Sequence, residues 1–453
     1  MGGWAYRGVI EGFYGPPWSW DDRAEIMRWC HDRGMTDYLY APKDDPLHRD
    51  QWRTPYPREV LGGFERLLGE GTLRVGFALS PGLSMDYGDL DDRAALAAKV
   101  DQVVAVGIEV ICLAVDDIDV RPGLGEDHAA VCTWLADHLG ERARLLLVPT
   151  EYAGTGSSPY LDALAAGVPT EVPIGWTGPA VVCDRITRAD AEDRAAALGG
   201  RAPFVWDNYP VNDALMADRL FLGPLRGRAP DLGEVCSGYA SNPMVQPSSS
   251  RPALASIAGY LAGEDPHAAW SAAVDDLHVR IFAEACDGAR PNELVDRLLL
   301  VDGPGDRSAA LAELSTWLRA AAKDPVALPP AEVEPWVDQM RAEARVGRAA
   351  LRLLEAAAPT ADGGDRTGGI DARVVDPEAV VAQAMAVAAL WPAARRGVPS
   401  VMGPRCSFRP TLDHRSDGSW RLLPGLFDLD GNAIDRLVRH ALDVATADAP
   451  TRS

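Results

Sequence analysis

The chain has 453 residues, 44 basic against 66 acidic side chains, and a formal net charge of −22. At roughly 150 residues per domain, this length allows about three units, or one large barrel with an appendage. Hydrophobic residues at 47% and charged residues at 24% fit a packed globular chain rather than a disordered one. The acidity argues against a nucleic-acid partner, because no basic footprint is present to neutralise phosphates. Residues 1–262 carry 23 basic and 37 acidic side chains and the remainder 21 and 29, so no basic domain hides in the average.

The seven cysteines, at 30, 112, 132, 183, 236, 286 and 406, are scattered and form no C-x-x-C. That pattern suits reduced thiols and leads us to expect a cytoplasmic protein without a disulfide framework. The start, MGGWAYRGVIEGF, lacks a basic segment followed by a long apolar one, so no signal peptide is expected. No uncharged apolar run reaches ~18 residues, so no membrane span is expected either.

In chain order, apolar β-type runs begin near Gly8, Thr36, Leu73, Ile108, Arg144, Glu171, Pro203 and Glu234. Amphipathic patterns such as Trp20–Arg33, Leu90–Val106, Gly125–Leu139 and Arg188–Leu198 lie between them and predict helices. Alternating β and α elements imply a parallel sheet, and eight such units in ~250 residues is the count of an α/β (β/α)8 TIM barrel. An open doubly wound sheet usually carries G-x-G-x-x-G after its first strand, whereas this turn reads EGFYGPPWS. After Gly263, residues 266–284, 291–300, 306–323 and 330–357 read as helices. The expected organisation is therefore a catalytic barrel (1–262), a helical bundle extension (263–357), a Gly-rich linker (358–371) and a small, mainly helical unit (372–453). Within that last unit, 377–396 and 432–447 read as helical and 397–431 as irregular.

Barrel active sites sit at the C-terminal ends of the strands. Those ends here carry Glu11 to Gly15, Ala41 to Asp45, Asp116-Asp117, Thr150 to Tyr152, Trp176 to Gly178, Trp206 to Asn208 and Gly238 to Asn242. Asp116 and Asp117 follow an apolar strand. Two adjacent carboxylates against a core are expected to titrate apart, one as an acid and one as an anion; a solvated loop or helix cap is the plainer alternative. Lys43 is one of three lysines, and a surface residue neutralised by Asp44 and Asp45 is its plainer reading. Of five asparagines, Asn208, Asn212 and Asn242 fall beyond strands seven and eight. An amide offers a donor and an acceptor together, which suits sugar hydroxyls, although Asn also serves turns. Trp176, Trp206, Tyr14, Tyr152 and Tyr239 add flat faces on which sugar rings can pack, or else fill the barrel top. No H-E-x-x-H, paired metal-ligand histidines or G-x-S-x-G elbow occurs, so neither metal nor cofactor is expected. Asp428-Leu429-Asp430-Gly431-Asn432 faintly resembles a calcium loop, but a turn before the last helix is the simpler reading.

Seven motifs in order resemble glycoside hydrolase family 84, the O-GlcNAcase-type β-N-acetylglucosaminidases, which also carry hyaluronidase-like names. They are GVIEGFYGPPWS (8–19), YLYAPKDDPLHRDQWRTPY (38–56), AVDDI (114–118), PTEY (149–152), WTG (176–178), WDNYPVND (206–213) and SNPM (241–244). The resemblance covers about residues 6–260 and implies a retaining exo-β-N-acetylglucosaminidase working by substrate assistance, an exception to the enzyme-nucleophile scheme. It implies that Asp116 orients the acetamido group during oxazoline formation and that Asp117 is the acid and then the base. It further implies substrate contacts from Gly12, Tyr14, Lys43, Tyr152, Trp206, Asn208, Asp213 and Asn242. The partner implied is a GlcNAc-bearing glycoconjugate or glycoside, with no nucleic acid or membrane, and a homodimer through the helical region is a possibility that the sequence leaves open. An endo-acting hyaluronidase or chitin-type enzyme and an inactive glycan-binding module are the alternatives.

Overall fold

The computed structural model describes residues 4–288, 292–301, 303–358, 376–397, 399–403, 408–414, 420–426 and 432–447. Its contacts divide the chain into two compact units. One comprises Met1–Ala217 with Pro224–Ala273, the other Asp218–Gly223 with Val274–Ser453.

The first unit is a barrel of eight parallel strands: β1 (Arg7–Glu11), β2 (Asp37–Tyr40), β3 (Arg74–Leu79), β4 (Val110–Ala114), β5 (Arg144–Val148), β6 (Gly175–Trp176), β7 (Phe204–Asp207) and β8 (Gly238–Ser241). The hydrogen-bonded order is β5-β4-β3-β2-β1-β8-β7-β6, and a parallel bridge between Leu147 and Ile174 joins the two ends. Helices α1 (Trp20–His31), α2 (Arg58–Gly69), α3 (Leu90–Val104), α4 (Leu124–Leu139), α5 (Pro159–Gly167) and α6 (Arg188–Ala197) follow the first six strands. Helix α7 (Pro247–Ala262) follows β8, while β7 and β8 are joined by a long loop with two short 3-10 turns. This is the (β/α)8 TIM barrel that the alternation implies.

Strand periodicity divides the core in two. Ile10, Leu39, Ala78, Cys112, Leu146, Val148 and Trp206 form one buried cluster. Their neighbours Val9, Tyr38, Phe77, Ile111, Leu147 and Val205 belong to another, shared with helix residues such as Met27, Phe64 and Leu135. Alternation at period two puts the first set inside the barrel and the second against the helices. Capping fixes several helix starts: the Ser19 and Thr187 side chains each accept from the backbone three residues on, with Asp22 and Asp190 returning the bond.

The eighth strand differs in place from the sequence reading. Glu234 lies in a 3-10 turn, Leu232–Glu234, and the strand begins at Gly238.

The second unit contains α9 (Arg280–Ala285), α10 (Glu293–Leu300), α11 (Pro304–Lys323), α12 (Pro330–Ala357), α13 (Pro377–Ala394) and α14 (Ala433–Ala447). Helices α11, α13 and α14 all pack on α12. At Gly347 of α12 the side chains of Leu318 and Ile434 come so close that an added methyl group would touch both. The stretch expected as one helix over 266–284 is broken by His278, whose φ of 54° is left-handed, into α8 (Pro266–Asp276) and α9. Residues 397–431, expected to be irregular, contain an antiparallel pair, β9 (Phe408–His414) and β10 (Trp420–Leu426). The packing of α13 and α14 on α12 also corrects the division into extension and separate C-terminal unit, because residues of both lie in one compact body. Residues 359–371 of the expected linker, the cysteine at 406, and 428–431 of the calcium-like segment lie outside the described residues. Asn432, which is described, accepts from the Asp435 amide at the start of α14 and donates to Glu343. Helix α13, with Glu378 its one charged residue, is long and apolar enough by length and composition to cross a membrane.

Candidate active site

A pocket of about 200 Å³ opens at the C-terminal ends of the strands, above the interior residues Val148 and Trp206. Gly12, Tyr14, Lys43, Asp116, Asp117, Tyr152, Trp206, Asn208, Asp213 and Asn242 all line it. The ten residues that the resemblance implies for catalysis and substrate contact thus meet in one cavity, although they come from six different strand ends, whereas Asn212, Trp176 and Tyr239 do not line it.

Asp116 and Asp117 stand just past β4, where Thr150 Oγ1 and the Val148 carbonyl hold the backbone of Val115. Asp117 has a left-handed backbone, φ 55°, which Asp tolerates better than most residues and which clusters at functional sites. The turn sends the two carboxylates to different partners. Asp116 Oδ2 accepts from Lys43 Nζ at 2.5 Å, while its Oδ1 is buried with no hydrogen-bond partner. Asp117 Oδ1 accepts from the Tyr152 hydroxyl at 2.8 Å and Oδ2 from the Tyr14 hydroxyl at 2.6 Å. Arg49 Nη1 donates to the Tyr14 hydroxyl at 2.6 Å and lies 3.9 Å from Asp117 Oδ2.

The electrostatics of Asp117 run against its resting as a protonated acid. Burial pushes its carboxyl up, but the Tyr14 and Tyr152 hydrogen bonds and the Lys43 and Arg49 charges outweigh burial and hold it below its usual value. Two cations, Lys43 and Arg49, stand beside the pair. Asp213 moves the other way: burial raises it, and Asp117 and Asp44 add to the rise against its bond from the Tyr14 amide.

Lys43 answers its plainer reading directly, since it pairs with Asp116 rather than with Asp44 or Asp45. Asp44 accepts from the Gly15 amide, and Asp45 from the hydroxyls of Tyr40 and Tyr56. A second rare lysine, the buried Lys99, fastens the same loop by donating to the carbonyls of Leu47 and Thr54.

On the opposite wall an amide chain links three strand ends. The Gly12 amide donates to Asn242 Oδ1 at 3.1 Å, and Asn242 Nδ2 donates to Asn208 Oδ1 at 2.9 Å. Asn208 Oδ1 also takes the Trp206 indole N–H at 3.1 Å, and Asn208 Nδ2 donates to the Val181 carbonyl. Each amide N has two hydrogens, so each keeps one donor beyond this chain. Gly12 is needed here because a Cβ on it would overlap the Trp206 indole.

Other strand-end residues have structural duties. Asn212 bonds Gln246 and the Val245 amide. Trp176 is fully buried and donates to the Gly154 carbonyl, and Tyr239 donates to Asp207. Glu11 is buried against Arg23, Tyr38 and the Trp18 amide. Sequence reasoning assigned no role to Arg49, although it lies inside the quoted DPLHRDQWR stretch, nor to Val181 and Val182, which line the pocket while about half exposed.

Residues 7–287 match the beta-N-acetylglucosaminidase family model. The chain belongs to that family of glycoside hydrolases. It is 34% identical over 254 residues to the protein O-GlcNAcases of Rattus norvegicus and Mus musculus. That match takes in 52% of this chain and 28% of each rodent protein, so the chain spans under a third of those relatives' length. Among solved structures, a mutant O-GlcNAc hydrolase of Thermobaculum terrenum superposes with a TM-score of 0.76 at 22% identity, covering 98% of this chain and 96% of that one. At that identity the likeness speaks for the fold.

Proposed function

We propose that the chain is a retaining, exo-acting β-N-acetylglucosaminidase that removes terminal β-linked GlcNAc through an oxazoline intermediate. The observation that carries this reading is the unequal saturation of the carboxylate pair. Asp116 keeps a buried acceptor with nothing to accept, and leaving such a group unpaired costs about 1–3 kcal/mol. A substrate N–H placed against Oδ1 removes that cost, and an acetamido group supplies one.

In the first step the acetamido oxygen attacks the anomeric carbon and the bond to the leaving group breaks. Positive charge grows on the acetamido group, where ionised Asp116 stabilises it by holding the N–H. Asp117 gives its proton to the departing oxygen. In the second step water attacks the anomeric carbon, Asp117 takes the water's proton, and the oxazoline opens. Asp117 reaches its acid form when the sugar fills the pocket, because burial is the influence that raises its carboxyl. Lys43, Asn208, Asp213, Asn242 and the Gly12 backbone take the sugar hydroxyls and the N-acetyl carbonyl region, Tyr152 sits near the acetamido atoms, and Trp206 walls the N-acetyl group.

The pocket's small volume supports exo action. A groove of about 800 Å³ bounded by Leu83, Ile118, Asp119, Arg121 and Glu151 adjoins it and shares Asp117, Tyr152 and Val181, which gives the leaving group a place to lie. The test is hydrolysis of alkyl and nitrophenyl β-N-acetylglucosaminides. Asp117→Ala is expected to lose about 10²–10⁴-fold on the alkyl substrate, which needs protonation, and much less on the nitrophenyl one. Equal losses on both would remove Asp117 as the acid. Absence of any turnover by the wild type would favour the glycan-binding module, and release of internal oligosaccharides would favour the endo enzyme.

We also propose a homodimer through the helical unit, where α13 leaves Val381 and Met385 exposed, and a cytoplasmic location, in keeping with six free thiols among the described residues. Light scattering that gives a monomer, or recovery of the protein outside the cytoplasmic fraction, would end these two readings.

A further inference from the structure

Asp117 is reached through two side chains, Arg49 and Tyr14, the first of which lies outside the sugar pocket. Arg49 does not line the pocket and is buried, with its guanidinium over the Tyr14 ring, 5.6 Å from the centroid. It donates to the phenol oxygen, and the phenol O–H donates onward to the carboxylate, both at 2.6 Å. A cation donating to a hydroxyl makes that hydroxyl a better donor, so the two bonds strengthen each other. Arg49 stands on the loop after β2 that Lys99 fastens, while Tyr14 is 40% exposed on the loop after β1. The Arg49 end of the chain is buried and the Tyr14 end is partly open to solvent.

We propose that Arg49 is a positioning residue: acting through the Tyr14 hydroxyl, it fixes the orientation of the Asp117 carboxylate and favours its ionised form. The inference rests on the reading of Asp117 as acid and base. It adds a division of labour within the cycle. The Arg49–Tyr14 pair opposes the acid form used in the first step and supports the carboxylate that must take a proton from water in the second. Tyr152 alone would leave one Asp117 oxygen without a donor.

The groups facing Asp117 from every surrounding element are Tyr14 on the loop after β1, Lys43 and Arg49 after β2, its neighbour Asp116, Tyr152 after β5, and Asp213 after β7. Lys43 is committed to Asp116. Removing Arg49 therefore takes away the charge behind the Tyr14 bond to Asp117 and leaves the Lys43–Asp116 bond in place, although Asp116 also feels the Arg49 charge.

The direct test follows the Asp117 carboxyl by its 13C shift through a pH titration of the full chain, with Asp117→Asn for assignment. In Arg49→Met the midpoint is expected to rise by about one pH unit, and in Tyr14→Phe it should rise as well. The double variant should move no further than the larger single variant, and Arg49→Lys should return the midpoint toward wild type. The pH profile of kcat/KM on methyl β-N-acetylglucosaminide should move with it, because that parameter reports the free enzyme. A midpoint unmoved in Arg49→Met, or full additivity of the two single shifts, would overturn the proposal. Should Arg49→Met fail to fold, Tyr14→Phe and Arg49→Lys carry the test, since Tyr14 is partly exposed and Lys keeps the charge. The titration needs no turnover. An inactive wild type would defeat the proposed function and leave this inference to be judged on the midpoints.

Discussion

The barrel holds two kinds of buried carboxylate, and they differ in what is left over. Glu11 and Asp207 sit at strand ends with both oxygens engaged by the two-pronged guanidinium of Arg23 or Arg228 and by a tyrosine hydroxyl, Tyr38 or Tyr239. Asp116, just past the end of β4, has one oxygen on Lys43 and one on nothing. The saturated sites are finished and can only hold strands and helices together. An unfinished one is stable because the rest of the fold sustains it, and it waits for a donor from outside. Both kinds are buried; the count of unused lone pairs separates structure from chemistry.

The largest effect expected from breaking this contrast is on stability. Glu11→Gln or Asp207→Asn leaves a buried arginine without its counter-charge, which should cost about 3–5 kcal/mol in urea unfolding. A loss under about 1 kcal/mol would show that these pairs are not the anchors their geometry suggests. Next comes Asp116→Asn, expected to lower turnover about 10²–10³-fold for every leaving group. Near-normal turnover would return Asp116 to the structural class.

A third expectation concerns pH. Burial lowers His48 to about 3 and His128 to about 4, from 6.5. The unfolded chain takes these protons near 6.5 and the folded chain does not. The contribution is therefore complete above about 6.5 and is lost as pH falls toward 4, at up to about 2.7 kcal/mol per unit for two sites. In His128→Gln the decline from pH 7 to 5 should be shallower than in wild type, and parallel curves would contradict it. The smallest effect is reserved for an exposed pair. Arg58→Ala, which removes the bond to Glu65, should change stability by less than about 0.5 kcal/mol.

The fold was legible because apolar runs and helical patterns alternate with little interruption, and the site was legible because barrels gather strand ends. The hairpin of the second unit was not. Pro410 and Pro424 face each other across it, and prolines break the alternation by which strands are recognised. Arg49 escaped notice for a different reason: among Lys43, Asp44, Asp45, His48 and Asp50 it looks like one more charge on a solvated loop. Only three-dimensional distances sort that loop into a lysine for Asp116, two structural aspartates and an arginine for Tyr14. The charge state of Asp117 was equally hidden, since adjacency in sequence implies repulsion and says nothing of the two phenols and two cations around it.

Gly12 and Trp206 occupy each other's space: the bare backbone of one is the room in which the indole of the other lies. A side chain at position 12 therefore has to wait for a smaller residue at 206. On the proposed reading of Trp206 as the wall of the N-acetyl group, an enlarged acyl group on the sugar would require a smaller residue at 206, and only then would residue 12 be free to gain a side chain. The order of those two substitutions is set in advance, so tolerance for larger N-acyl substrates should arise along one mutational path and be closed along the other.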